Sequence, residues 1–199
     1  MSARNDSGYT EPDRLARELL TELATALQPC LEGIALIGGL AVNVHREPRF
    51  TDDIDFMAYP AVLEAVTSQL EEAGFEQVSA QGAEQSSGPD LVRFKRPGIP
   101  VVVEFLTSKT ELQDSVIARA KRADEIVPIP IATAEDLIVL KLVANRSQDH
   151  RDLLELGKIE GLDWAYVEHW APIWGIEERL ANLRGWLEED RQIAKDLGL

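Results

Sequence analysis

Cysteine is nearly absent from this chain: Cys30 is the only one in 199 residues. A lone thiol excludes an internal disulfide and a cysteine-based zinc site, and it fits a reducing, cytoplasmic setting. Histidine is almost as scarce. His45, His150 and His169 are the only three, and with no H-x-x-x-H or H-E-x-x-H spacing they make no zinc set. Bases are outnumbered, 20 Lys and Arg against 35 Asp and Glu, giving a formal net charge of -15. Such a chain does not coat nucleic acid or an anionic membrane indiscriminately, although a local basic groove is still open to it. No apolar run approaches the roughly 18 residues of a membrane span. The polar start, Met1 to Asp13, carries no signal-peptide core. Serine never occurs as G-x-S-x-G, and no G-x-x-x-x-G-K-S/T loop is present, so a nucleophile elbow and a P-loop are both excluded.

What is present is an ordinary globular composition, 45% hydrophobic and 28% charged, which rules out a disordered chain. Residues 1–12 are polar and turn-forming and are expected to be flexible. Leu15, Leu19, Leu23 and Leu27 recur every four positions, predicting a helix from Asp13, its N-cap, to about Gln28, where Pro29 stops it. Ile34 to Ile37 reads as a buried strand, followed by Gly38-Gly39 and a short helix from Leu40 to His45. Ile54 and Phe56 alternate with Asp53 and Asp55, the period of a half-buried strand. Ala61 to Ala73 is predicted helical, and Gly82 to Asp90 a loop.

Leu91 to Lys95 and Val101 to Leu106 flank Arg96-Pro97-Gly98-Ile99 as a β-hairpin. Thr110 to about Arg122 is predicted helical, and the two prolines in Ile126 to Ala132 make that segment extended. Thr133 with Asp136 opens an apolar helix, and beyond Gln148 the chain reads as helices broken near Gly161, Pro172 and Gly175. The expected fold is therefore α+β. A mixed sheet flanked by helices (13–132) precedes an all-helical region (133–199).

The chemistry is concentrated between Ile34 and Met57. Two glycines between a strand and a helix let backbone N–H groups approach an anion, with the helix N-terminus adding positive potential. Fourteen positions after Gly39 comes Asp53-Ile54-Asp55, whose two acids share one face of a strand. Acids held that close repel each other unless a cation intervenes, and hard oxygens suit Mg²⁺. A third acid, Glu104, interrupts the otherwise apolar run Val101 to Leu106, where an unpaired charge is costly.

The order Leu36-Ile37-Gly38-Gly39, then Asp53-Ile54-Asp55, resembles the polymerase-β-like nucleotidyltransferase superfamily. Arg49-Phe50-Thr51 just ahead of the acids is similar to the AbiEii/AbiGii-type toxin branch. A second block, the apolar helix with Lys141 running into Asn145 to Leu153, resembles that branch too. The likeness covers about Gly33 to Leu156. It implies a two-metal, Mg²⁺-dependent enzyme with Asp53, Asp55 and Glu104 as catalytic metal ligands, Glu104 standing where relatives usually carry Asp. It further implies that Gly38, Gly39, Arg49, Thr51 and Lys141 hold a nucleoside triphosphate such as ATP or GTP. RNA (tRNA ends especially) or a protein is then the implied acceptor, and the branch leaves room for a cognate antitoxin. Aminoglycoside-type modification of a small molecule is the second reading, and a lapsed nucleotide-binding module the third. Asp149 and Asp152 are assigned a structural role, as N-cap residues or as partners of Arg146 and Arg151. Basic residues cluster at Arg93, Lys95 and Arg96 and at Arg119, Lys121 and Arg122, either of which would line the path of a nucleic acid.

Overall fold

The computed structural model describes residues 11–46, 51, 53–82, 88–123 and 127–197. Most of the expected flexible N-terminus, Arg49 and the centre of the Gly82–Asp90 loop lie outside the described residues. The chain divides into two compact units, Met1–Thr133 and Ala134–Leu199.

In the first unit, helix α1 (Glu11–Ala26) leads through a 3-10 turn (Gln28–Gly33) into strand β1 (Ile34–Ile37). Helix α2 (Gly38–His45) follows without an intervening loop, and β2 (Asp53–Ala58) comes next. A second 3-10 turn (Pro60–Val62) precedes α3 (Leu63–Glu72), then β3 (Glu76–Gln81), β4 (Leu91–Lys95) and β5 (Val102–Thr107). Helix α4 (Glu111–Arg119), β6 (Lys121–Ala123) and β7 (Val127–Ile131) complete the unit. Among the described residues seven strands form one sheet in the order β3-β4-β5-β2-β1-β7-β6. It is mixed: β2 runs parallel to β5 and β1 parallel to β7, while the remaining pairs are antiparallel.

Alternation decides which way each strand faces. Ile54, Phe56, Val103 and Phe105 are fully buried, and so are Val92 and Phe94 on the next strand. Phe56 stacks on Phe105 with centroids 4.9 Å apart, and Phe94 meets Phe105 edge-on at 6.0 Å. Burying each such ring contributes roughly 1.5–3 kcal/mol, so this face anchors the central strands. Helices α1, α3 and α4 pack on the sheet, α1 against β7 and β2, α3 against β3, and α4 against β2 and β1. The opposite face of β2 and β5 presents Asp53, Asp55, Val102, Glu104 and Leu106, all half-buried.

The second unit holds α5 (Ala134–Ala144), α6 (Asp149–Gly157), α7 (Trp164–Trp174) and α8 (Glu177–Leu197). Leu137, Ile138, Leu153, Leu156, Val167 and Leu183 form its core. No helix among the described residues is long and apolar enough to cross a membrane.

Four local expectations are corrected. Helix α1 already runs at Glu11, so Asp13 lies inside it rather than capping it. Helix α2 begins at Gly38, two residues before Leu40. The helix expected through Arg122 stops at Arg119, because Lys121–Ala123 pairs with β7 as an edge strand. Pro172 does not break a helix but sits inside α7, near its C-terminus. That helix ends instead at Gly175, whose φ of 62° is the left-handed cap that glycine adopts without strain. The fold otherwise follows the expected architecture, a mixed sheet flanked by helices and then a helical region.

Candidate active site

Strand register brings the predicted acids together. Asp55 on β2 lies directly opposite Glu104 on β5, and Asp53 lies opposite Val102. Parallel neighbours in register point to the same face, so Asp53, Asp55 and Glu104 share one surface while Ile54 and Val103 turn into the core. The D-x-D spacing alone accounts for the first pair. The third acid arrives because β5 is the immediate neighbour of β2.

Gly38 sits where β1 meets α2, with Ile37 paired to Asp55. Its φ is +66°, and a Cβ built there would lie 1.9 Å from Asp55 Oδ2. Only glycine tolerates both the dihedral and the carboxylate. The glycine turn thus makes room for Asp55 against the N-terminal end of α2, the end that carries the helix's partial positive charge. Gly39 is the next residue of that first turn and is buried. Thr51 donates from Oγ1 to the Asp53 carbonyl at 3.4 Å, just ahead of β2.

One residue belongs to this face whose role the sequence left open. Arg93 on β4 is the cross-strand partner of Glu104, and its Nε donates to Glu104 Oε1 at 2.5 Å. The pair is partly open to solvent, 34% for the arginine side chain and 22% for the glutamate. The hydrogen bond and charge of Glu104 raise the Arg93 pKa above its ordinary value, and the charge of Asp53 acts in the same sense. A signal was available: once Leu91–Lys95 and the Val101 run are read as a hairpin, register alone sets Arg93 beside Glu104. Of the other bases in its cluster, Lys95 is exposed, and Arg96 turns to Glu22 at 2.7 Å and lies over the Phe75 ring.

The four side chains Asp53, Asp55, Glu104 and Arg93 sum to a formal charge of -2. Their donor set toward a cation is all carboxylate oxygen, which fits a hard divalent ion and its preference for oxygen ligands. The fit is best at Asp53 and Asp55. Among the described residues no three acids, histidines or cysteines converge as a ready-made cage, and Glu104 is engaged by Arg93.

Lys141, expected on the nucleotide phosphates, has other partners. It is buried on α5, and its ammonium lies 3.1 Å from Asp149 and 2.7 Å from Asp152, both fully buried on α6. Arg146 completes the cluster: its backbone N–H and its Nε each donate to Asp149 Oδ2 at 3.0 Å. Burial alone would push the Asp149 carboxyl up. The hydrogen bonds from Arg146 and the charge of Lys141 outweigh it and hold the group below its ordinary value. Lys141 is thus ion-paired within the helical unit, and of the pairings expected for Asp149 and Asp152 the one to Arg146 is present at Asp149, while Gln148 rather than either acid stands at the N-cap. Nearby, Asp136 is fully buried and accepts a hydrogen bond from the Tyr166 hydroxyl.

No curated protein matches this sequence. Solved structures align with the chain at low identity. Protein JHP933 from Helicobacter pylori aligns at 19% identity over 74% of this chain and 67% of its own, with a TM-score of 0.47. The antibiotic-resistance factor ANT(2'')-Ia aligns at 14% over 94% and 97%, TM-score 0.46. The lincosamide adenylyltransferase LnuA aligns at 15% over 63% and 86%, TM-score 0.43. A family described as nucleotidyltransferases of unknown function, DUF6036, matches residues 16–179. That span takes in the glycine turn, the three acids and the buried lysine cluster, and it is most of the chain. The protein belongs to the DUF6036 family of nucleotidyltransferases.

Proposed function

We propose that the protein transfers a nucleoside monophosphate from a nucleoside triphosphate to an acceptor hydroxyl, with Asp53 and Asp55 holding Mg²⁺ and Glu104 serving the acceptor. The observation that carries this reading is the in-register row of Asp55 and Glu104, with Asp53 on the same face and the end of α2 beside them. A divalent ion there would neutralise the triphosphate and favour attack at its α-phosphorus.

The chain's own groups divide the remaining work. Backbone N–H groups of Gly38 and Gly39 at the start of α2 favour the phosphate oxygens. The sequence likeness adds Thr51 and Arg49 to the residues that hold the nucleotide. Glu104 accepts a hydrogen bond from the acceptor hydroxyl and orients it. The acceptor oxygen forms a bond to the α-phosphorus as the bond to the β-phosphate oxygen breaks; pyrophosphate leaves with the electron pair, and the hydroxyl proton passes to the Glu104 carboxylate. To ligate a second metal instead, Glu104 would have to leave Arg93. Lys141 has no part in this scheme.

The likeness to the AbiEii/AbiGii-type branch supports a toxin-like enzyme acting on RNA, tRNA ends in particular, or on a protein hydroxyl, under the control of a cognate antitoxin. The single buried cysteine, Cys30, supports a cytoplasmic setting. The test is incubation with each α-labelled nucleoside triphosphate and Mg²⁺ in the presence of total RNA, cell protein or an antibiotic panel. Label in the RNA or protein fraction is the expected result. Nucleotide binding with no transfer to any acceptor would overturn it.

A further inference from the structure

We propose that Arg93 is the resident counter-cation of the carboxylate face and competes with a divalent ion for Glu104. This rests on the reading of Asp53 and Asp55 as the metal-holding pair. The sheet forces the arrangement: Arg93, Glu104 and Asp55 form one line across β4, β5 and β2. Neither strand can shift to separate them, because Val103 and Phe105 on β5 and Val92 and Phe94 on β4 are buried in the core. Only side-chain motion can release Glu104, and the partial exposure of both side chains permits it.

Three acids on one face repel one another, and a guanidinium discharges one of them without a metal. A guanidinium keeps its charge throughout, so it cannot yield by losing a proton. It yields only to a better cation or by swinging away. Arg93 is thus a positioning residue that acts through Glu104, holding the third carboxylate beside the metal pair but off it.

The test is Mn²⁺ affinity of the full chain without nucleotide, read from the electron paramagnetic resonance of free Mn²⁺. Wild type, R93M, E104Q and the double variant R93M/E104Q form a cycle, with thermal melts checking each fold. R93M should bind Mn²⁺ about tenfold tighter, the equivalent of one unit of pKa shift from a neighbouring charge. E104Q should bind Mn²⁺ no tighter than wild type, because the glutamate is not a ligand while Arg93 holds it and its loss leaves the Arg93 charge against the remaining acids. The double variant should lose the gain. R93K keeps the charge but not the Nε–H; it should give a smaller gain, and it serves if R93M fails to fold. Equal affinity of wild type and both Arg93 variants overturns the proposal, as does a gain that survives in the double variant. Absence of Mn²⁺ binding in wild type, unchanged in D55N, would instead defeat the reading of Asp53 and Asp55, and the proposal with it.

Discussion

The two units each gather acids around bases, with opposite outcomes. In the helical unit Lys141 and Arg146 face Asp149 and Asp152, so charges cancel, and both acids are fully buried. In the sheet unit Asp53, Asp55 and Glu104 share a face with Arg93, four side chains of formal charge -2, and all four keep some access to solvent. A neutral, closed cluster is a structural device, because its charges have no further need of a ligand. The half-open cluster on the sheet is the one proposed above to take a cation. Burial and charge balance, more than residue type, separate the two.

Breaking the closed cluster should give the largest stability loss. Lys141→Met removes the buried cation that Asp149 and Asp152 share, leaving Arg146 on Asp149, and should cost about 3–5 kcal/mol, read as a shift in the urea midpoint. A cost under about 1 kcal/mol would mean the cluster is not structural.

Gly38→Ala should come second. It forces a left-handed residue and drives a Cβ into Asp55, so a loss of roughly 1–3 kcal/mol is expected, together with weaker divalent-ion binding. Retained binding at unchanged stability would show that the turn can relax.

The next effect is one of pH, at Asp149. The Asp149 carboxyl is held below its ordinary value of 3.8 in the folded chain, so its contribution is complete above that value. It is lost as pH falls through the lower, folded value, because the unfolded state then binds the proton more readily. Melting of the wild type should therefore carry a component from Asp149 that disappears only below about pH 4, and Asp149→Asn should remove it. Equal acid sensitivity in both proteins would contradict the assignment.

Asp53→Asn should have the smallest effect on stability, within about 1 kcal/mol in either direction, because it removes repulsion along with some attraction to Arg93. Transfer should nevertheless be lost.

The same contrast explains what could be read from the sequence. Central strands announce themselves: Ile34–Ile37 as an apolar run, Asp53–Ala58 by alternation, and Leu91–Lys95 with the Val101 run as a hairpin, since each packs on a buried core. The two edge strands, Glu76–Gln81 and Lys121–Ala123, were not legible. They have neighbours on one side only, and Glu76, Gln77 and Val78 are exposed, so no hydrophobic period marks them. The acids of the site were legible for the same reason as the strands: a charge within an apolar alternation stands out. Arg93 stood in a run of bases, and its role depended on register rather than spacing. Lys141 looked like an isolated charge because its partners lie on the following helix, 8 and 11 residues away.

The central claim is that the β2 acids serve chemistry while the buried lysine cluster serves the fold. Parallel measurement of melting temperature and Mg²⁺-dependent pyrophosphate release, in wild type, Asp55→Asn and Lys141→Met, tests it most directly. With nucleoside triphosphate and a cell extract as acceptor source, the account predicts that Asp55→Asn melts like wild type and releases no pyrophosphate, while Lys141→Met melts far lower. A large drop in the melting temperature of Asp55→Asn, or pyrophosphate release that survives it, would contradict the account.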